Sequence, residues 1–436
     1  MAELRPFHGL RFDAAAVEPA LTISPPYDVI SPEEQVALYG RSPYNAVRLE
    51  YGEQRPSDGV AENRYTRAAA DLAAWRSRGM LVRDERPTLY AYDAEFEWEG
   101  RRYRRRACFG LVRLEEWEKG VVRPHEHTLP TPKADRLELL RAARTQISPV
   151  WSVFRQPSGS VALPCAEGDA LLDFEADGQH HTLRRIDGRG AIEAFAGAVA
   201  AADVYIADGH HRYETALAYR DETRAQSLGR AADALEDFVL MALTDAGDPG
   251  LLVLPTHRIV RRRPGEGDAM AVLRRYFSLE DLGPAADAAV LSRGLERLRS
   301  VAPETAFLAV GLEPGRAHLL TLTDRSGVEA LMPPDRPAAW RRLDVNVLQY
   351  GVLRAALGID DAVLAAGDAV AYTQDAGAAA AAAAADDGRI SFLLNATPVE
   401  QILEVADAGG RMPQKSTYFY PKLPTGLVLY GFDAQA

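Results

Sequence analysis

Val204-Tyr205-Ile206-Ala207-Asp208-Gly209-His210-His211-Arg212-Tyr213-Glu214-Thr215-Ala216-Leu217 is the stretch on which the reading of this chain turns. The apolar residues 204–207 predict a short buried strand. Tyr213, Ala216 and Leu217 then recur at i, i+3 and i+4, which predicts a helix from about His211. Gly209 between them suits a tight turn or a close backbone approach. The first turn of any helix leaves N–H groups without partners at its positive end, so this junction is a seat for an anion. Arg212 adds a planar fork that matches phosphate oxygens. Asp208 can hold a magnesium ion or accept a hydroxyl proton; its plainer alternative is a helix cap. His210 and His211 can donate to phosphate or move protons near neutral pH.

Composition bounds the classes open to the chain. Its 436 residues exceed one ordinary core and predict two or three domains. The formal charge of -12 opposes sequence-independent binding to nucleic acid. Two cysteines, Cys108 and Cys165, read as separate thiols of a reducing compartment. No apolar run is long enough to cross a membrane and no signal peptide is read, so a cytoplasmic location is expected.

Three blocks are expected, at 1–155, 156–265 and 266–436. In the first, Ser31-Pro32-Glu33-Glu34 is a helix start, a helix covers 61–79, strands at 89–98 and 101–112 form a hairpin turning at Glu99-Gly100, and a helix follows over 133–145. The second block has a helix over 192–202, the central junction, and strands at 238–244 and 251–260. The third alternates elements, with a helix over 340–357 and an alanine-rich surface helix over 378–385. This order predicts an α/β or α+β fold with mixed sheets around the strand–Asp-Gly-His-His-Arg–helix unit.

Other polar clusters accompany the junction. In an extended Arg123-Pro124-His125-Glu126-His127, the two histidines would share one face and Glu126 the other. His125 and Glu126 are read as proton-transfer or substrate-binding groups, since His-x-His alone falls short of a zinc site. Lys133 and Arg136, one helical turn apart, can reach one phosphate or form a solvated face. Lys415 and Ser416 lie in a nonhelical stretch and are read as phosphate contacts, with a structural hairpin as the alternative. Tyr27 and Asp28 are placed in the same cleft, with Asp28 and Glu33 as candidate bases or plain turn and cap residues. The arginine-rich run 101–106 has side chains on both strand faces and is read as an edge or interface strand.

The Gly209-His210-His211-Arg212 box, with Ala216 one turn on, resembles the Gly-x-x-Arg box of the ParB/sulfiredoxin superfamily, which binds nucleotide phosphates at a helix start. The preceding Asp208 makes it most similar to the free serine kinases of that fold. Sulfiredoxins carry cysteine directly after the glycine; His210 stands there in this chain, which argues against sulfinic-acid reduction. Almost end to end, the chain also resembles the family called domain of unknown function 1015. The matching strings are 25–30 (Pro-Pro-Tyr-Asp-Val-Ile), 123–128 (Arg-Pro-His-Glu-His-Thr), 133–137 (Lys-Ala-Asp-Arg-Leu), the central run, and 412–422 (Met-Pro-Gln-Lys-Ser-Thr-Tyr-Phe-Tyr-Pro-Lys).

Residues and resemblance together point to phosphotransfer on a small hydroxyl metabolite, with serine or phosphoserine favoured and the direction open. Arg212, the Gly209 backbone and Lys415 would hold phosphate. Asp208 would position magnesium or the hydroxyl, and His210 or His211 would assist proton transfer. A nucleotide or pyrophosphate would be the donor. The partner expected is a small phosphorylated metabolite, with neither membrane nor nucleic acid; homo-oligomerisation stays open. Two rival readings are a non-catalytic sensor of a nucleotide or phosphometabolite, and a metal-dependent hydrolase using His125, His127, His210 and His211.

Overall fold

The computed structural model describes the chain except residues 157–168, 227–232, 262–267, 303, 366–368, 385–387, 414 and 434–436. Cys165 lies outside the described residues, whereas Cys108 is a buried free thiol. The fold is mixed α/β. It divides into two compact units, one formed by Met1–Pro124, Thr128–Leu252 and Pro421–Ala436, the other by His125–His127 and Val253–Tyr420. The expected boundary at 155 does not separate domains, because one sheet takes strands from both sides of it.

That sheet orders the first unit. Its strands run Val122–Arg123, Asp203–Asp208, Val150–Arg155, Phe238–Asp245, Arg101–Arg113, Leu89–Trp98, Gln179–Ile186 and Leu172–Ala176, and Leu4–Arg5 pairs beside Arg101–Arg113. The pairings are antiparallel except two: Asp203–Asp208 with Val122–Arg123, and Phe238–Asp245 with Val150–Arg155. The hairpin read from Glu99-Gly100 is present, both turn residues having positive φ. Alternate residues of the central strands, such as Cys108, Val112, Val150, Ile206 and Met241, form a buried core with Tyr213 and Leu217 from the following helix. Removing such surface from water contributes about 25 cal/mol per Å². The helix Pro32–Arg41 starts on a Ser31–Glu34 capping box, as its sequence indicates.

The arginine run needs a correction. Arg101, Arg102, Arg104 and Arg106 are exposed, in keeping with an edge, but Arg105 is 0% exposed. On the same sheet face Tyr92 lies in a buried row with His181, its hydroxyl 2.7 Å from His181 Nδ1. Burial pushes the His181 pKa down to about 4 from an ordinary 6.5. The unfolded chain therefore binds a proton that the fold refuses. Stability should be full above pH 6.5 and should fall by up to about 3 kcal/mol as pH drops toward 4. Urea titrations across that range should show a shallower fall in His181→Phe.

The second unit is built on an antiparallel sheet ordered Phe277–Pro284, Arg316–Leu322, Ala306–Val310, Arg389–Leu393, His257–Arg261 and Val370–Thr373. Two expectations change here. The helix read over 340–357 is broken into Ala338–Arg342, Asp344–Val347 and a π-helical Leu348–Arg354. The alanine-rich helix, Ala376–Ala384, is not confined to the surface: Ala379, Ala380 and Ala383 are buried, the small side chains letting it pack closely.

Candidate functional site

The junction forms as its residues indicate. The strand Asp203–Asp208 bulges between Ile206 and Asp208, and the helix His210–Gln226 begins two residues after its end. Gly209 has φ of +93°, a region open to glycine and strained for other residues. A Cβ there would also lie 2.9 Å from the Arg212 guanidinium, which would have to shift to admit it. The Tyr213 N–H donates to the Gly209 carbonyl at 3.0 Å, which closes the first helical turn.

Arg212 folds back over the glycine. Its Nη2 donates to Asp208 Oδ2 at 2.5 Å, and Nη1 donates to the Pro149 carbonyl. Lys422 Nζ donates to the other carboxylate oxygen, Oδ1. Burial opposes ionisation of Asp208, but Lys422 and Arg212 outweigh it and hold its carboxyl well below the usual carboxylate range. The result is one carboxylate clamped between two cations at the start of a helix.

The histidines differ. His210 is buried beside Asp208, whose charge it favours. His211 accepts the Leu129 N–H on Nε2 at 2.9 Å, which places its remaining ring proton on Nδ1. Burial, reinforced by Lys133 and Arg212, keeps the His211 pKa below its ordinary value against the pull of Asp28 and Glu214. It is therefore neutral at pH 7, with Nε2 engaged.

Lys133 and Arg136 do not converge on one point. Lys133 pairs with Glu214 at 2.9 Å, and Thr128 also donates to that carboxylate. Arg136 turns inward: Nη1 donates to the Glu50 carbonyl at 2.6 Å, Nε donates to Asp135, and its guanidinium lies 4.2 Å from the Tyr27 ring centre. Ser148 Oγ donates to the buried Glu50 carboxylate at 2.9 Å. A cavity of about 50 Å³ is lined by Glu50, Arg136, Ser148, Arg212 and Thr215 among others. Burial raises the Tyr27 phenol, which feels both Arg136 and Arg212; Asp28 is exposed. Thus Tyr27, Asp28, Lys133, Arg136 and Asp208–Arg212 all belong to one unit.

His125, Glu126, Lys415 and Ser416 belong to the other unit. There the two remaining motifs meet: His125 Nε2 is 3.0 Å from Thr417 Oγ1, and the Met412 N–H donates to the His125 carbonyl at 2.6 Å. Thr417 lies 3.5 Å from Glu126, and Ser416 Oγ donates to the Pro413 carbonyl at 2.5 Å. Lys415 is exposed, and its carbonyl accepts from Arg258 at 3.4 Å. His125 is buried and His127 exposed, so the two do not share an environment; beyond Arg123, His125–His127 is bridged at Glu126 alone and forms no strand. Among the described residues no three His, Cys, Asp or Glu side chains gather as metal ligands.

Sequence reasoning chose Lys415 for the phosphate and passed over Lys422. It also missed Glu50, Ser148 and Glu214. Lys422 stands 214 residues from Asp208, a separation that no local spacing can signal.

Among the described residues no helix is long and apolar enough to cross a membrane. No curated protein matches the sequence. Among solved structures, the chain is similar to a conserved hypothetical protein from Pyrococcus furiosus at 13% identity and TM-score 0.33, over 70% of this chain and 92% of that one. It is similar to a free serine kinase variant in complex with ADP at 13% identity and TM-score 0.34, over 70% and 89%. A third likeness is to C-terminally truncated SbnI from Staphylococcus aureus, at 9% identity and TM-score 0.35, over 74% and 87%. The family model described as protein of unknown function (DUF1015) matches residues 4–346, and the chain belongs to that family.

Proposed function

We propose that this protein transfers a phosphoryl group between a nucleotide or pyrophosphate and the hydroxyl of a small metabolite, with serine or phosphoserine favoured. The observation that carries the reading is the Asp208 carboxylate held between Arg212 and Lys422 at the first turn of the helix His210–Gln226. Phosphoryl transfer needs positioning and charge neutralisation above all. Two cations and the helix N-terminus supply both, and an arriving phosphate competes with Asp208 for the same donors. Asp208 in turn accepts the hydroxyl proton once a phosphate has drawn the cations away. The free serine kinase named above was solved with ADP; the same nucleotide class is the first donor to try here.

A magnesium ion on Asp208 does not fit this arrangement, since each carboxylate oxygen already faces a cation. No step is routed through a metal, and magnesium that arrives bound to a nucleotide is part of the substrate. His211, neutral and engaged at Nε2, orients Leu129 in this reading. His210 stays the histidine proposed to assist the proton. His125, Glu126, Lys415 and Ser416 have no step in it.

Purified protein should convert serine and ADP, ATP or pyrophosphate to phosphoserine, or run the reverse, followed by ³¹P NMR. Lys422→Met should lower turnover about 100-fold, as expected for loss of a charge-assisted contact of about 3 kcal/mol. Binding without turnover would mark a sensor of the same ligand. Neither binding nor turnover with any of these compounds would overturn the reading.

A further inference from the structure

Arg105 is the wholly buried member of the arginine run, and among the described residues it has no ion pair. Burial opposes its charge and outweighs the Tyr92 side chain and Asp248, which favour that charge without an ion pair; an apolar side chain of similar size is usually no worse for stability than such a buried guanidinium. Its contacts indicate what it does instead. Nη1 donates to the Pro421 carbonyl, one residue before Lys422. The guanidinium carbon lies 4.4 Å from the Trp151 ring centre. Trp151 is the residue directly paired with Asp208 on the neighbouring strand, and its Nε1 donates to Thr244 Oγ1 at 3.1 Å. Arg105 therefore touches the backbone beside Lys422 and the ring of the residue paired with Asp208 across the sheet.

Upstream, Tyr418–Tyr420 pairs with Leu252–Leu254 in a two-stranded sheet that ends directly before Pro421, and downstream the segment is pinned further on. Ser24 and Thr425 exchange backbone hydrogen bonds of 3.2 and 2.8 Å, and Leu10 and Leu429 do the same at 3.0 and 2.7 Å. Those bonds fix the chain three residues and more beyond Lys422. We propose that Arg105 is a positioning residue: by holding Pro421 against Trp151 it sets Lys422 opposite Asp208. The placement stands on these contacts alone, while its effect on phosphate rests on the function proposed above.

The test uses the ligand-free full chain labelled with ¹⁵N-lysine. The Lys422 ammonium signal, assigned by its absence in Lys422→Met, should be shifted and slow to exchange in the wild type. In Arg105→Met it should move to the position of a solvated lysine, with a melting temperature no lower than wild type. Should that variant fail to fold, Arg105→Gln takes its place. An unchanged Lys422 signal in a folded variant overturns the proposal. Pyrophosphate titration supplies the second readout. Arg105→Met should bind about tenfold more weakly, and the double variant with Lys422→Met no more weakly than Lys422→Met alone. Losses that simply multiply would overturn the proposal. If wild type binds no pyrophosphate, the functional reading fails, and the lysine signal still decides the role of Arg105.

Discussion

Asp208→Asn should destabilise the first unit by about 3 kcal/mol, and inorganic phosphate should restore much of the loss. The substitution keeps shape, removes the charge and turns one of the two accepting oxygens into an N–H donor. Arg212 and Lys422, both largely buried, would then face each other with no anion between them. Breaking a buried pair is expensive because the surviving charges stay desolvated. A phosphate bound at ten times its Kd would return about 1.4 kcal/mol, and the variant should bind it more tightly than wild type because no carboxylate competes. The measurement is thermal unfolding of both proteins with and without phosphate. A variant as stable as wild type without phosphate would show that the clamp contributes nothing. An equal phosphate shift in both would show that the cations do not face the ligand.

Gly209→Ala should be the most damaging single methyl in the site. The left-handed φ costs an L-residue about 1 to 2 kcal/mol. The new Cβ also has to displace the Arg212 guanidinium that lies over the glycine. Arg212 would lose its hold on Asp208 and Pro149, so stability should fall by about 2 to 3 kcal/mol and phosphate binding with it. Urea denaturation and phosphate titration of the same sample check both. Stability within 0.5 kcal/mol of wild type, roughly the spread of neutral surface changes, would mean the turn adapts.

Local patterns were legible because local physics decides them. The hairpin at Glu99-Gly100, the cap at Ser31 and the strand-to-helix turn at Gly209 each depend on a few adjacent residues. What escaped depends on distant partners. Arg136 sits one turn from Lys133, but a buried Glu50 draws it inward while Glu214 holds the lysine. Five arginines of the 101–106 run look alike in sequence; only tertiary packing singles out Arg105. Lys415 and Lys422 both flank the aromatics, and the ion pair that distinguishes them joins residues from opposite halves of the chain.

The return of residues 421–433 to the first unit has a consequence for how the protein is made. Asp208 and Arg212 emerge from the ribosome long before Lys422 does. During that interval the nascent chain has to carry a half-built clamp, with Asp208 lacking one of its two counter-charges. A messenger cut short after Tyr420 would yield a polypeptide holding nearly every motif of the family and an incomplete site. Synthesis of the segment that carries Lys422 is thus the step that completes the clamp.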